Sequence, residues 1–317
     1  MTRFRVSGLV VESECANPYW QIDSPARLGL PDVEVALDPD PALGVDSWTT
    51  DRRLSSGGFS DLRWEPRKGL RFRIRDGASI AVYRPASYSE EDVAAPLSGL
   101  VWGLLCHQRK LLPLHCSSVR HGGRAFAFTG ASGSGKSTLV AGFLERGYAL
   151  CSDDVMVVDT ATGCPETFMA ATGLKLCEDA AQRLLQPAET VRVTTRFGKY
   201  RIPLGAPTGP ERLEVAALYA LKFHEAGPAV IRKISGGEHW QTLYQSVHGV
   251  GLMPRINTPR VVFPNLATLA EKIEVFSFSR PRDFRRFGDG LDMLERHIQA
   301  SSEAFARRRV SAAVAAP

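Results

Sequence analysis

The sequence predicts an α/β (α+β) protein in which a small β-rich domain precedes a larger domain built around a phosphate-binding loop. Residues 124–146 read in order as a strand, a glycine-rich loop and a helix, which is the context that such a loop requires. In the first quarter of the chain, short alternating apolar and polar runs lie between Gly, Pro and Ser clusters, a pattern typical of strands. We predict the β-rich domain over residues 1–95, the larger domain over 96–300 and a disordered tail over 301–317.

The composition is that of an ordinary soluble globular protein. Of the 317 residues, 44% are hydrophobic and 23% are charged. The net charge of +5, from 39 basic and 34 acidic residues, is too small an excess to indicate a nucleic-acid-binding face. The longest apolar run, residues 97–106, falls well short of the ~20 residues that a membrane span needs. The N-terminus lacks the apolar region of a signal peptide, and the six cysteines form no CxxC pair. We therefore expect a cytoplasmic protein without a nucleic-acid or membrane partner.

The N-terminal segment contains several predicted strands. Phe4–Val11 and Val33–Leu37 are strand-like, and Leu70–Arg75 and Ser79–Tyr83 flank an Asp76-Gly77 pair. An Asp-Gly pair between alternating apolar residues is a strong hairpin signal. This half shows no catalytic constellation, so its predicted role is either docking, to a partner or within a homo-oligomer, or purely structural.

A helix is predicted to connect the two halves. Ser89-Glu90-Glu91-Asp92 has the pattern of a helix start, but Pro96 interrupts it, so we expect the main helix to begin at Pro96. Apolar residues at helical spacing continue through Gln108. Leu111–Arg120 then reads as a strand that places His115 near the phosphate-binding loop. A lone histidine on a strand is either a packed structural residue or a member of the site.

The phosphate-binding loop is the most specific motif in the chain. Its glycines let successive backbone N–H groups converge on a phosphate, and the following helix N-terminus adds positive potential. The Lys136 side chain can reach the outer phosphates, and the Ser137 hydroxyl can ligate Mg²⁺. We therefore predict that the chain binds a nucleoside triphosphate. The residues assigned to nucleotide binding are Gly130, Ser132, Gly133, Ser134, Gly135, Lys136, Ser137 and Thr138.

Two adjacent acids, Asp153 and Asp154, follow the loop helix within the strand-like run Tyr148–Asp159. An acid at the end of such a strand is the expected partner of Mg²⁺. Neighbouring residues of a regular strand point to opposite faces, so the strand must end or bulge here if both acids serve the site. The alternative is a pair of acids in a surface turn.

The remainder of the chain alternates predicted strands and helices. Asp179–Leu185, Phe263–Ile273 and Leu291–Gln299 have helical patterns, and Arg212–Phe223 reads as a buried strand. Between them, the segment 192–210 is basic and rich in Gly and Pro. Such a segment is either a lid that closes over phosphates or a solvated connector.

A wider set of residues around these motifs resembles a known family. The run LLPLHCSSV at Leu111–Val119, the loop GASGSGKST and the triplet Ser152-Asp153-Asp154 follow one another, as in the catalytic domain of HPr kinase/phosphorylase. The likeness is closer to the HPr-kinase-related proteins of bacterial gene clusters, among them the kinases of lasso-peptide precursors. The resemblance implies a mixed-sheet P-loop kinase domain related to phosphoenolpyruvate carboxykinase. It also implies ATP and Mg²⁺ as cofactors, and transfer to a serine-type hydroxyl.

The resemblance assigns roles to three further side chains. His115 matches the family histidine, and Asp153 and Asp154 match the paired aspartates. We assign Asp154 as the general base, and Asp153 as the residue that, with Ser137, holds the metal; the two aspartates could exchange these roles. The chain lacks the EIRGLGIIDV-type segment of HPr kinase/phosphorylase, so the implied acceptor is the serine of a peptide or small protein, such as a lasso-peptide precursor. A small-molecule kinase and a nucleotide-binding regulatory module without transfer are the alternatives.

Overall fold

The computed structural model describes residues 1–23, 29–40, 54–56, 59–169, 171–184, 191–194, 199–205, 212–253 and 259–315. It is a mixed α/β structure, as predicted, with two mixed sheets and one smaller antiparallel sheet across these ranges. Within the same ranges, the longest helices carry too many polar residues for any of them to span a bilayer.

The N-terminal sheet has eight strands in the described part of the chain, in the order β3-β1-β2-β4-β8-β7-β6-β5. The pairs β2/β4 and β4/β8 are parallel and the others are antiparallel. Its strands are β1 (Thr2–Val6), β2 (Leu9–Ser13), β3 (Gln21–Ile22), β4 (Val33–Leu37), β5 (Leu54–Ser56), β6 (Asp61–Arg67), β7 (Leu70–Arg75) and β8 (Ser79–Tyr83).

The Asp-Gly hairpin is confirmed, because β7 and β8 pair around Asp76 and Gly77, whose φ angles are 52° and 63°. Two consecutive positive φ angles are those of a type I′ turn, which matches the twist of the flanking strands. The prediction of one strand over Phe4–Val11 is wrong. Ser7 and Gly8, with φ angles of 50° and 79°, fold this run into the β1/β2 hairpin.

Gly8 lies where the N-terminal half packs against Phe168 of the second half. We expect replacement of Gly8 by Ala to lower the free energy of unfolding by about 2–4 kcal/mol. A Cβ at Gly8 would overlap the ring of the buried Phe168, and the φ angle of 79° is strained for any L side chain. Urea denaturation measures the effect. Gly163→Ala is the matched control, since Gly163 has a φ angle of 76° with nothing within 4 Å of its Cβ position. Equal losses in the two variants would show that the contact with Phe168 contributes nothing.

The connecting helix starts earlier than the sequence predicts. Ser89 caps helix α1 (Glu90–Pro96) through a capping box with Asp92, and α1 continues through a π-helical turn (Leu97–Val101) into α2 (Trp102–Gln108). Pro96 therefore does not begin the helix. Because proline lacks an N–H and crowds the preceding turn, the helix widens directly after it and kinks at Gly99, whose φ of −97° and ψ of −115° are not helical. The helix packs on the N-terminal sheet, in a core that also includes Val157 and Phe168 of the second half.

The second large sheet has, among the residues described, the strand order β12-β10-β11-β18-β14-β13-β9, and β20 pairs with both β18 and β19. The three central strands β11, β18 and β20 are parallel to one another. The strands of this sheet are β9 (Leu112–Leu114), β10 (Cys116–His121), β11 (Arg124–Thr129), β12 (Ala149–Ser152), β13 (Met156–Asp159), β14 (Glu166–Phe168), β18 (Arg212–His224), β19 (Val230–Ile234) and β20 (Glu274–Pro281). The separate three-stranded sheet consists of β15 (Gly173–Cys177), β16 (Val191–Thr194) and β17 (Lys199–Pro203).

Helices cover both faces of the second sheet. One core joins the sheet to α3 and the last helix, and the other joins it to two helices on the opposite face. The two faces hold the phosphate-loop strand β11 between packed layers, which fixes the point where the loop emerges. The helices are α3 (Lys136–Glu145), α4 (Glu178–Leu184), α5 (Gly236–Ser246), α6 (Pro259–Lys272) and α7 (Phe287–Ala315).

Two expectations for the C-terminal part need correction. The basic segment 192–210 is not simply a loop, because Arg192 lies in β16 and Arg201 in β17; Arg196 and the Gly/Pro run 206–210 lie outside the described residues. The tail predicted to be disordered over 301–317 is helical as far as Ala315, where α7 ends; residues 316 and 317 lie outside the described residues. Alanine and arginine, which dominate residues 304–315, are among the strongest helix formers.

Candidate active site

His115 lies at a break between two strands. The sequence predicts one strand over Leu111–Arg120, but β9 ends at Leu114 and β10 begins at Cys116. The backbone N–H of His115 donates instead to the carbonyl oxygen of Ser246, at 2.6 Å. The two strands occupy different positions in the sheet, so the break orients the His115 side chain independently of either ladder.

The phosphate-binding loop connects β11 to α3. Gly133 and Gly135 have φ angles of 80° and 84°, which other residues adopt only with strain. Gly135 is the N-cap of α3 and offers no side-chain acceptor to the first amides of that helix. The free N–H groups and the helix dipole therefore converge on one point in front of the loop, a ready anion site.

The other loop residues divide between its interior and its surface. Lys136 is 9% exposed, and its Nζ donates to the carbonyl oxygens of Gly130 and Ala131, at 2.8 and 3.4 Å. Ser134 is buried and Ser132 is exposed. Thr138 faces a cleft that Gly133 and Gly135 also line.

Asp153 is connected to the metal-binding position of the motif. Its Oδ1 accepts hydrogen bonds from the hydroxyls of Ser137, at 3.0 Å, and Ser117, at 2.8 Å. Its Oδ2 accepts from the backbone N–H of Lys175, at 2.8 Å. Three donors fix the carboxylate beside Ser137 at the start of α3, so that a hydroxyl and a carboxylate oxygen are presented together.

Asp154 faces a different set of groups from Asp153 because strand β12 ends just before the two acids. Such an end is what two adjacent acids need if both are to serve one site. β12 ends at Ser152, and Asp154 has a φ angle of 76°. The Nδ1 of His115 lies 3.3 Å from Asp154 Oδ1 and 3.1 Å from the Asp154 carbonyl oxygen. The Nζ of Lys175 lies 3.8 Å from Asp154 Oδ2. Burial raises the pKa of Asp154, but the hydrogen bond from His115 and the charge of Lys175 outweigh it and hold the pKa well below its ordinary value.

Lys175, Ser117 and His248 belong to this cluster and were not identified from the sequence. Lys175 extends from β15, and its Nζ lies 4.1 Å from the centre of the Tyr19 ring, which the N-terminal half contributes. The His248 ring meets the His115 ring edge to face, with centroids 5.5 Å apart. Only Ser117 carried a signal, because it stands two residues after His115 and is the serine of the LHCS motif.

The cluster offers two sets of metal ligands with different chemistry. The oxygens of Ser137 and Asp153 are hard ligands of the type that Mg²⁺ prefers. His115, Asp154 and His248 also present ligand atoms within 4.8 Å of one another, but imidazole nitrogens suit transition metals better than Mg²⁺. A Mg²⁺ ion carried by a nucleotide therefore fits the Ser137–Asp153 side.

Two histidines, His107 in the core and His248 in the cluster, predict a loss of stability at mildly acidic pH. Burial lowers the pKa of His107 to about 4 from an ordinary 6.5, and that of His248 likewise to about 4. The folded protein thus resists protonation that the unfolded chain accepts, so stability is complete above pH 6.5 and falls as the pH drops towards 4. For His107 alone the expected loss is roughly 3 kcal/mol across this window.

Urea denaturation between pH 7 and pH 4 measures this loss in the wild type and in His107→Gln. Glutamine stays neutral and retains a donor for the His248 carbonyl oxygen, which lies 3.1 Å from His107 Nε2. The variant should show a shallower pH dependence, with the part due to His248 remaining. An unchanged pH dependence would mean that His107 is protonated freely in the folded state.

Comparisons with known proteins find similar solved structures but no sequence family. No protein-family model matches the chain, and no curated protein matches it. Among solved structures, the chain is similar to the Hpr(Ser) kinase/phosphatase from Coxiella burnetii, at 15% sequence identity and a TM-score of 0.33. The match covers 62% of this chain and 96% of the other. A structural similarity at this score supports no conclusion about fold or function. We therefore base the proposed function on the geometry of the site.

Proposed function

We propose that the chain is an ATP-dependent kinase that transfers the γ-phosphoryl group to a serine-type hydroxyl of a peptide or small protein. The observation that carries this proposal is the arrangement of the two aspartates. Asp153 lies 3.0 Å from the Ser137 hydroxyl, and Asp154 contacts His115 and Lys175. Each acid thus has a separate task beside one phosphate-binding loop, as a phosphoryl transfer to an alcohol requires.

The phosphate end of the nucleotide is assigned to the loop. The amides at Gly133–Gly135 and the start of α3 would hold phosphate oxygens, and Lys136 would exchange its loop carbonyl partners for the outer phosphates. Ser137 and Asp153 would hold Mg²⁺, which supplies neutralisation of the charge that develops on the β- and γ-phosphate oxygens. Ser117 and the Lys175 amide keep the Asp153 carboxylate in place for that task.

Asp154 is assigned to the acceptor hydroxyl. The oxygen of the acceptor forms the new bond to the γ-phosphorus, the bond from that phosphorus to the β–γ bridging oxygen breaks, and the hydroxyl proton passes to the Asp154 carboxylate. A pKa held below the ordinary value makes Asp154 a weak base that is ionised at every physiological pH. Its contribution is therefore to orient the hydroxyl and to accept the proton late, as bond formation proceeds.

The acceptor is assigned to the side where the N-terminal half meets the cluster. Tyr19 stacks against Lys175 there, and Trp20 lines both a small cavity against Asp153 and an open groove of about 700 Å³. The groove is lined by apolar residues, such as Phe4 and Ile22, and by charged residues, such as Glu91 and Arg201. Such a mixture suits a peptide segment better than a compact metabolite. The motif resemblance likewise suggests a peptide, and a lasso-peptide precursor is the first candidate.

Transfer of label from γ-³²P-ATP to serine-containing peptides, lasso-peptide precursors among them, tests the proposal. The expected products are phosphoserine peptide and ADP in equal amounts, with Mg²⁺ required. Label in a metabolite and none in any peptide would favour a small-molecule kinase. Tight ATP binding without any transferred label would favour a regulatory nucleotide-binding module.

A further inference from the structure

The phosphate-binding loop borders a second cleft, on the side away from the aspartates. Ser137 faces Asp153, whereas Gly133, Gly135 and Thr138 line a cleft of about 480 Å³. This volume lies within the range of about 300–1,000 Å³ that is usual for small-molecule sites. The cleft is basic, since it contains four arginines against two aspartates. The charged residues that line it are Arg183, Arg280, Arg282, Arg285, Asp179 and Asp283.

Arg280 is a buried cation with no acidic partner among the residues that the structure describes. It is 5% exposed, its Nη2 donates to the Ser134 carbonyl oxygen at 3.1 Å, and its Nη1 has no hydrogen-bond partner. Within the described chain, no carboxylate pairs with it, and burial lowers its pKa to about 10. A Cβ at Gly135 would lie 2.5 Å from Arg280 Nη2, so glycine is needed for this contact.

A buried charge without a partner is unfavourable unless something compensates it. The position of Arg280 directly behind the loop amides suggests which group compensates its charge. Its field adds to that of the α3 N-terminus at the place where a phosphate chain would lie. An anion held in the loop would compensate this charge, and the part of such a ligand beyond its phosphates would have room in the cleft.

Two phenylalanine rings beside the cleft are stacked with arginines. The Arg280 guanidinium lies 4.7 Å from the centre of the Phe223 ring, and the Arg183 guanidinium lies 5.0 Å from that of Phe284. Phe223 is 38% exposed, so one large apolar ring faces solvent next to the phosphate loop. Aromatic and guanidinium planes are the surfaces on which proteins stack nucleobases.

We propose that this cleft binds the nucleoside part of the nucleotide, with the base stacked on Phe223 and Phe284 and with Arg280 as a fixed positive charge behind the phosphates. The proposal rests on the proposed function, because it gives the nucleotide a direction. The γ-phosphate points to Asp153 and Asp154, and the base points to Phe284. The site thereby distinguishes nucleoside triphosphates from other polyphosphates, which the loop alone would not do.

Isothermal titration of the wild type with ATP and with inorganic tripolyphosphate tests the proposal without turnover. Tripolyphosphate carries the phosphates and no base, so it occupies the loop alone. Phe284→Ala should weaken ATP binding about tenfold or more and leave tripolyphosphate binding unchanged. Arg280→Met should weaken both ligands alike, and Arg280→Lys should restore part of the affinity for both.

The control is Phe263→Ala, which removes a ring that is 43% exposed on α6, and both ligands should bind it as they bind the wild type. If Phe284→Ala does not fold, as thermal unfolding would show, Phe223→Ala decides by the same comparison. Unchanged ATP binding in the phenylalanine variants, or equal losses for ATP and tripolyphosphate in them, would overturn the inference and leave the kinase intact. A wild type that binds neither ligand would overturn the proposed function itself.

Discussion

Replacing Asp154 by Asn is expected to lower kcat for phosphoryl transfer by about 10²–10⁴-fold while KM for ATP stays nearly unchanged. The carboxylate contacts His115 and Lys175 and does not contact the phosphate-binding loop. Under the proposed function, loss of its charge would therefore remove an interaction with the reacting hydroxyl and none with the nucleotide. Asparagine is the right substitute because it tolerates the φ angle of 76° found at this position, whereas alanine would add backbone strain.

Steady-state kinetics with a serine peptide measures this effect, and Asp153→Asn provides the contrast. Asp153 lies beside the Ser137 hydroxyl, so its variant should need a higher Mg²⁺ concentration to reach half-maximal rate. Asp154→Asn should leave the Mg²⁺ requirement as it is. Asp159→Asn is the matched control, because this carboxylate pairs with Arg212 at 3.1 Å, outside the cluster. Reversed Mg²⁺ responses in the two variants would exchange the roles assigned to the aspartates.

The features of the fold and of the site that the sequence predicts are those that a single short segment of the chain determines. The glycine loop needs only its own φ angles and the helix that follows it, and the Asp76-Gly77 hairpin needs only its turn. The same holds for the capping box at Ser89. Each of these features has a local cause, so the pattern of residues suffices to predict it.

The residues that complete the cluster have no such local cause. Lys175 reaches Asp154 from the small third sheet, His248 follows α5, and Tyr19 comes from the N-terminal half. Only the packing of distant segments brings these side chains to one place. A lysine in a short strand or a histidine after a helix carries no sign of that destination in the sequence.

The wrong predictions have the same origin. The rule that proline ends a helix applies to isolated segments, but the apolar residues on both sides of Pro96 pack into one core. That packing keeps the two helical segments together across a kink at Gly99, inside the π-helical turn. The turn places Gly99 so that a Cβ there would lie 3.8 Å from Asp154 Oδ2, and the irregular segment therefore borders the catalytic cluster. Tertiary packing decides such cases over local propensity.

Replacing Lys136 by Met is expected to weaken ATP binding by about 100-fold or more, since loss of one partner of a buried charge pair costs about 2–5 kcal/mol. Methionine keeps most of the apolar stem, so the change removes the ammonium group and little packing. The side chain is 9% exposed and contacts the Gly130 and Ala131 carbonyl oxygens. The ammonium is therefore held against the loop backbone, and under the proposed function a bound phosphate would replace those carbonyls as its partner.

Titration calorimetry with ATP·Mg²⁺ measures the loss, and Lys272→Met, at the exposed end of α6, is the control of equal charge. Lys136→Arg separates charge from shape. Arginine keeps the positive charge, but its planar guanidinium replaces the compact ammonium in a crowded loop. We therefore expect an affinity for ATP between those of the wild type and Lys136→Met. If Lys136→Met bound ATP as the wild type does, the nucleotide would not lie in this loop.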